Sequence, residues 1–348
     1  MWEGDLTMHK VYAARVKDRQ VLSESSSGGM FVALSDQILH AGGAVVCAVY
    51  DYQNYNTKYT LIETTDHRNS ALGSKYMQSF PGEVFDEAVE WLSANPNKKI
   101  LFVGMGCQAA GFKNYVTMKG MLDRVYIVDI ICHGSPSPML WKEYAKLIEK
   151  KYGGRITYLT FKDKRKGWKQ PTAYALINGN EVDISDYVRL FYSRVALRPS
   201  CHVCPYACIE RQTDLTIGDY WGIDTVIPDF YDPEGNSLVI VHNDRGLKLF
   251  EMIKDSIEYR ASNATDCLQP NLERPTPVSE FREKFWLEYH EQGMKYIMKK
   301  YYTISIQSKI KNKLFKIFGG GQVTSLYVIL FVVSAPMRGG MHNELVTA

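Results

Sequence analysis

Between residues 41 and 151 the chain repeats one unit: an apolar run, a glycine-containing or polar loop, then a stretch with helical spacing. Residues 41–50 (AGGAVVCAVY) read as a buried strand after a glycine turn. Val84, Phe85, Ala88, Trp91 and Leu92 fall on one face of a helix that Asn95-Pro96 ends. A strand at 99–103, the loop GMGCQAAG and a short helix follow, then a strand at 124–131, the loop CHGSPSP and a helix at 138–151. Strands joined by helices run parallel, because such a crossover returns the chain to the same end of the sheet. The expected core is therefore α/β. Upstream, 8–18 read as a strand and 23–29 (SESSSGG) as a loop before a helix at 30–40. After Gly153 the pattern shortens to antiparallel-style strands at 156–162, 173–178 and 181–184, with further strands at 215–219 and 238–242. From Pro275 the chain reads as a helical, increasingly basic tail. The fold class expected is α/β with α+β character: an N-terminal α/β region, a smaller mixed strand region and a helical C-terminal tail.

With 348 residues, 45% of them hydrophobic, the chain can bury a core without disulfide staples. A net charge of +3 is too small to make nucleic acid the main partner. The N-terminus lacks a secretory pattern, and the apolar run at 323–334 has about half the length a transmembrane helix needs, so a soluble cytoplasmic protein is expected. In a reducing compartment the seven cysteines are not expected to pair, and their spacing must assign them. Cys201-His202-Val203-Cys204-Pro205 offers two thiolates from one tight turn, with a proline that often follows cluster-binding cysteines. Cys107 and Cys132 each follow a core strand. If those strands are parallel, both thiols stand at the carboxyl edge, where α/β sheets bind ligands. Cys107, Cys132, Cys201 and Cys204 are thus expected to form one four-thiolate site, for an iron–sulfur cluster or for zinc, although structural zinc more often uses two local pairs. The alternative for Cys107 and Cys132 is that they are small buried hydrophobes. Cys208 could substitute for one ligand, whereas Cys47 and Cys267 read as bystanders.

Ser25-Ser26-Ser27-Gly28-Gly29 precedes a helix, where hydroxyls and backbone N–H groups can hold phosphate or simply cap the helix. Gly73-Ser74-Lys75-Tyr76 sets a lysine beside a small turn, suited to an anion or a flavin. In this order, SSSGGMFVAL, GSKYMQS, GMGCQAAGFK, DIICHGSPSPMLW and RPSCHVCPYACIERQTDLTIGDYWG resemble the coenzyme F420 hydrogenase/dehydrogenase beta-subunit family. The resemblance covers 8–270 and divides the chain into an N-terminal family domain (8–96), a C-terminal one with the cysteines (97–275) and the tail (276–348). It implies an oxidoreductase holding FAD and a [4Fe–4S] cluster, passing electrons between iron–sulfur centres and a hydride carrier or organic substrate.

Carried onto this sequence, the resemblance makes Cys107, Cys132, Cys201 and Cys204 the cluster set. It makes Ser25, Ser26, Ser27, Gly28, Gly29, Lys75 and Gln78 flavin-facing. His133, Arg211, Asp214 and Asp219 lie in matching motifs, Arg211 and Asp214 as cofactor contacts and His133 and Asp219 as catalytic candidates. For Asp214 and Asp219 the alternatives are flavin or proton-donor contacts and strand-end pairing. Tyr220-Trp221 either stack on a ring or belong to the core. The sequence departs from the family at Met105-Gly106, where a Thr-Pro pair is usual, at Cys208, and in lacking an upstream ferredoxin-like segment. A separate ferredoxin or ferredoxin-like donor, with coenzyme F420 or another organic acceptor, is then the expected partnership. Lys295 through Lys316 carries seven lysines and no acidic residue, either an amphipathic helix for an anionic membrane or acidic partner or a solvated face. A zinc-stabilised binding or scaffold protein without redox activity is the competing functional class.

Overall fold

The computed structural model describes residues 10–302. Its strands are β1 (Lys10–Val16), β2 (Ala44–Asp51), β3 (Asn56–Ile62), β4 (Ser79–Phe80), β5 (Ile100–Met105), β6 (Val125–Ile130), β7 (Ile156–Asp163), β8 (Thr172–Ile177), β9 (Asn180–Asp183), β10 (Leu215–Asp219), β11 (Ser237–Val241) and β12 (Ile257–Ser262). Nine form one mixed sheet in the order β12-β1-β11-β10-β6-β5-β2-β3-β4. The other three, β7-β8-β9, make a small antiparallel sheet.

The centre of the large sheet is parallel. Ala44 of β2 pairs with Ile100 of β5, Met105 of β5 with Ile130 of β6, and Ile130 with Ile217 of β10. Each of these strands is buried on both faces, as parallel strands under crossover helices must be. Alternate residues therefore serve opposite layers. Val45, Leu101, Val103, Tyr126 and Val128 pack with Met30, Leu34 and Ile38 of the helix Met30–His40. Val46, Ile100, Phe102, Val125 and Ile127 pack with Ala88 and Leu92 of the helix Val84–Ala94 and with Phe112 and Val116 of the helix Gly106–Met118. Cys47 belongs to the first layer, and Cys267 to a third buried cluster with Tyr220 and Phe230. Both are core residues.

The flanks of the sheet differ from expectation. Of the region after Gly153, only β7–β9 stand apart; β10 and β11 return to the large sheet, where β11 lies antiparallel to both β10 and β1. β3 and β12 carry too many polar residues to stand out by hydrophobicity, and they lie outside the parallel centre, where polar side chains reach water. The small sheet is joined to the helices Pro138–Tyr152 and Ser185–Tyr192 by an aromatic core in which Trp141 meets Phe161 at 5.0 Å and Tyr187 at 4.8 Å between ring centres.

Residues up to Trp286 make one compact unit. The second unit starts at Leu287; within it, the helix Arg282–Ile297 breaks at Gly293 and Glu288 accepts a 2.8 Å hydrogen bond from Lys300. The lysine-rich stretch is described only as far as Tyr302, and the remainder of Lys295–Lys316 lies outside the described residues. Among the described residues no helix is long and apolar enough to cross a membrane.

Candidate functional site

Strand direction places every sequence motif but one at a single rim. The carboxyl ends of β5, β6 and β10 lie side by side, and Asp219 at the end of β10 pairs with Ser237 of β11, which pairs with Ala14 of β1. The loop Ser25–Gly29 follows the same end of β1. Residues 73–79 enter β4, whose Ser79 pairs with Thr57 at the start of β3, again on this rim. Asp214 is the exception.

Cys107 occupies the first turn of the helix Gly106–Met118, directly after β5. Cys132 follows β6, and its loop receives the Cys201–Cys204 turn from across the rim. Arg198 donates a 2.9 Å backbone hydrogen bond to Ser135, and Pro136 bridges to Leu197. The four thiols form one electrostatic group. Burial pushes the Cys132 thiol up to about 12; the Gly134 backbone N–H offsets part of this, and Cys201, Cys107 and Cys204 add to it. Burial likewise raises Cys107, with Cys204 and Cys201 adding to it. Binding of a metal centre by such thiols would release their protons. Cys208 is half-buried beside Cys204 and donates to Glu210 O at 2.9 Å.

Among the described residues, the surroundings of the thiols hold unpartnered polar atoms and one cation. His133 Nε2, His202 Nε2 and Ser135 Oγ are buried without a partner among the described residues, and all three lie in the two cysteine loops. His202 Nδ1 lies 2.8 Å from the Thr276 carbonyl, which fixes the proton on that nitrogen. Arg282, within electrostatic reach of Cys201, is held by the carbonyls of Val195 and Leu197 at 2.8 and 2.6 Å and supplies positive charge. Among the described residues no three Cys, His, Asp or Glu side chains close on a single metal ion. Burial pushes His133 down to about 4, with the charge of Arg194 adding to it, so its imidazole is neutral at pH 7.

The serine and lysine loops form the neighbouring half of the rim. Gly28 lies against the sheet, its N–H donating to Ser237 Oγ at 2.9 Å and its carbonyl accepting from Val16 N–H at 2.8 Å. Ser25 Oγ caps the preceding helix through Val21 O, and Ser27 Oγ donates to Asn236 O at 3.0 Å. Gly29 opens the helix Met30–His40. Ser74 Oγ meets Ser26 Oγ at 3.2 Å, joining the two motifs. Lys75 donates to the carbonyls of Ala71, Leu72 and Gly73 at 2.6, 3.1 and 3.0 Å, and burial pulls its ammonium down to about 8. Among the described residues it has no carboxylate partner. Gln78 is half-buried in the same loop. Tyr76 stacks on Phe191 at 4.3 Å, and Phe191 stands 5.3 Å from His133, so a run of rings fills the space between lysine loop and cysteine loop.

Three residues that sequence patterns did not single out complete the rim. β7 delivers Lys162, which ion-pairs with Asp219, and Lys164 follows it, donating to Leu22 O at 2.5 Å, Ser27 O at 3.1 Å and Glu234 O. Burial, with the charge of Lys162, pulls Lys164 down to about 8. Trp168 donates its indole N–H to the other oxygen of Asp219 at 2.8 Å and stacks on Trp221 at 4.9 Å, with ring planes 2° apart. Trp221 is 41% exposed whereas Tyr220 is fully buried, so only the tryptophan is accessible to a ring. The dense KDKRKGW run was the available signal for this group.

Arg211 and Asp214 are held differently. Arg211 pairs with buried Asp129 at 2.6 Å. Asp214 stands at the amino end of β10, accepting from Ile127 N–H at 2.8 Å and Arg245 Nε at 3.1 Å. That is the strand-end alternative, at the edge opposite the cysteines.

No curated protein matches this chain. A chain of the F420-reducing [NiFe] hydrogenase complex from Methanosarcina barkeri shares its fold, with a TM-score of 0.50 at 16% identity over 92% of this chain and 97% of that one. Two family descriptions match in adjoining blocks. "Coenzyme F420 hydrogenase/dehydrogenase, beta subunit N-term" covers 11–83, and its carboxyl-terminal counterpart for the same beta subunit covers 97–266. The chain therefore belongs to the coenzyme F420 hydrogenase/dehydrogenase beta-subunit family of oxidoreductases.

Proposed function

We propose that this oxidoreductase is an iron–sulfur flavoprotein that holds a [4Fe–4S] cluster on Cys107, Cys132, Cys201 and Cys204 and FAD along the adjoining serine and lysine loops. The observation that carries the proposal is the convergence of four thiols, from three separate segments, on one rim that also carries the serine and lysine loops, where, among the described residues, no carboxylate faces Lys75. A cluster spans several bond lengths, so a cage too open for a single ion suits it. When bound, the flavin accepts a hydride or two electrons together and the cluster carries one at a time, which interconverts the two currencies.

The chain's own residues prepare that chemistry. Lys75 and Lys164 bring positive charge to the loops that meet at Ser26 and Ser74, which would draw the diphosphate of a dinucleotide there. Trp221 offers a ring face to the substrate side. Lys162 pairs with Asp219 and orients it at the same place. Arg282 offsets the negative charge of four thiolates. A ferredoxin-type donor and a hydride carrier or organic acceptor are the proposed partners, in a cytoplasmic setting.

Anaerobic purification tests this directly. Bound flavin with about four irons and four sulfides per chain, both lost in the Cys201→Ser/Cys204→Ser double variant for iron and in Lys75→Met for flavin, is the expected result. Colourless protein with stoichiometric zinc and no iron would sink the proposal and restore the scaffold reading.

A further inference from the structure

We infer that Arg211 is a positioning residue for the cluster thiolates: one buried guanidinium–carboxylate pair, Arg211 with Asp129, ties together the segments that carry them. This rests on the proposal that those thiols hold a cluster.

The pair is almost wholly buried, with 3% and 1% of the two side chains exposed. Beyond Asp129 Oδ2 at 2.6 Å, the guanidinium serves three carbonyls that lie in different cysteine-bearing or supporting segments. It donates to Ile130 O at 3.3 Å, two residues before Cys132. It donates to Cys208 O at 3.0 Å, at the end of the loop that carries Cys201 and Cys204. It donates to Asn271 O at 3.3 Å. Asn271 in turn donates to Thr276 Oγ1 at 2.9 Å, Thr276 Oγ1 donates to His133 O at 2.5 Å, and the Thr276 carbonyl takes the 2.8 Å bond from His202.

Asp129 lies against the turn that carries the remaining thiol. A Cβ on Gly106 would sit 3.0 Å from Asp129 Oδ2 and 3.0 Å from Tyr206, so the turn bearing Cys107 lies between the carboxylate and the loop of Cys204. Its other oxygen takes Thr213 and Thr216 hydroxyls at 3.0 and 2.5 Å, so the carboxylate is saturated by donors. Burial raises Asp129 while Arg211 lowers it. A buried pair of this kind contributes little net stability against an apolar replacement. What it does provide is a planar fork with fixed directions, which a lysine cannot reproduce. Thiolates from three separate segments need such a node, because no local turn relates Cys107 and Cys132 to the Cys201–Cys204 turn.

The test compares Arg211→Lys and the milder Thr276→Val with the wild-type protein, each purified anaerobically as the full chain. Readouts are iron and sulfide content, the paramagnetic resonance signature of the reduced cluster, its reduction potential, flavin content and melting temperature. Loss of a supporting partner of this kind lowers metal affinity roughly 10- to 100-fold. The expected result is that both variants keep flavin and a folded circular dichroism spectrum but show depleted iron or an altered resonance and potential, Arg211→Lys the more. If Arg211→Lys does not fold, Thr276→Val decides. Folded variants with full iron, wild-type resonance and wild-type potential overturn the inference while leaving the cluster itself intact. A wild-type protein without iron overturns both.

Discussion

Replacing Gly28 by alanine probes how tightly the serine loop is pressed onto the sheet. The added Cβ would sit 2.4 Å from Ala14 O and 2.6 Å from Ser237 N, against ordinary contact at 3.4 Å or more. Both obstacles are backbone atoms of core strands, so the loop must retreat by about 1 Å, the difference between 3.4 and 2.4 Å. That retreat breaks the Gly28 bonds to Ser237 Oγ and Val16 N–H, worth ~0.5–1.5 kcal/mol each. Overpacking strain adds ~1–3 kcal/mol. The sum is about 2–6 kcal/mol, and at ~2–4 °C per kcal/mol a mid-range loss of about 4 kcal/mol lowers the melting temperature by roughly 8–16 °C. Gly73→Ala is the control: its φ is +80° but nothing lies within 4 Å of the new methyl, so only the backbone penalty of ~1–2 kcal/mol applies. Scanning fluorimetry on both variants, followed by flavin titration, separates the cases. Gly28→Ala should lose flavin affinity along with stability. Equal melting shifts for the two variants would refute the steric account of the loop.

Lys75→Met should stabilise the cofactor-free protein at pH 7 in urea titrations yet weaken flavin binding by roughly 10- to 150-fold, the value of one charge-assisted contact of ~1.5–3 kcal/mol. Because burial holds the folded Lys75 near 8, below its ordinary 10.5, the unfolded chain binds more protons between those values. The contribution of Lys75 to the stability of the cofactor-free protein should therefore rise with pH across that window, and the difference between the wild-type protein and Lys75→Met should change accordingly. Single serine substitutions of Cys107, Cys132, Cys201 or Cys204 should each deplete iron, whereas Cys208→Ser, Cys47→Ser and Cys267→Ser should leave it unchanged by colorimetric assay. Asp214→Ala should destabilise by ~1–3 kcal/mol, by stranding the buried Ile127 N–H, while leaving flavin affinity intact in a fluorescence titration.

The parallel centre was legible because its strands are buried on both faces and read as continuous apolar runs, which is why Cys107 and Cys132 could be put on one edge from the residues alone. The helix Met30–His40 and β10 coincide with their expected bounds. What stayed hidden depends on non-local pairing. Nothing local says that β10 lies parallel to β6, so which end of that strand, Asp214 or Asp219, joins the cysteine edge was not legible. Lys162 and Lys164 sit in and after an ordinary strand of the small sheet, and only the packing of that sheet brings them to Asp219 and Ser27. Arg211 looked available to a cofactor because Asp129, its partner, is distant in sequence and hidden inside an apolar strand.

The strand order also sets a timetable. β1 is made first but pairs only with β11 and β12, whose residues come more than 200 positions later. Cys107 leaves the ribosome 94 residues ahead of Cys201, roughly 5–20 s at ordinary elongation rates, and Thr276, which anchors both cysteine loops, later still. Until then the early thiols have neither their partners nor their cover, and the serine loop has no β11 to rest on. On the proposed assignment, the cluster cannot be loaded onto the nascent chain in stages. The thiols must be kept reduced until the last third of the sheet has closed, and loading the rim is an event of the finished chain.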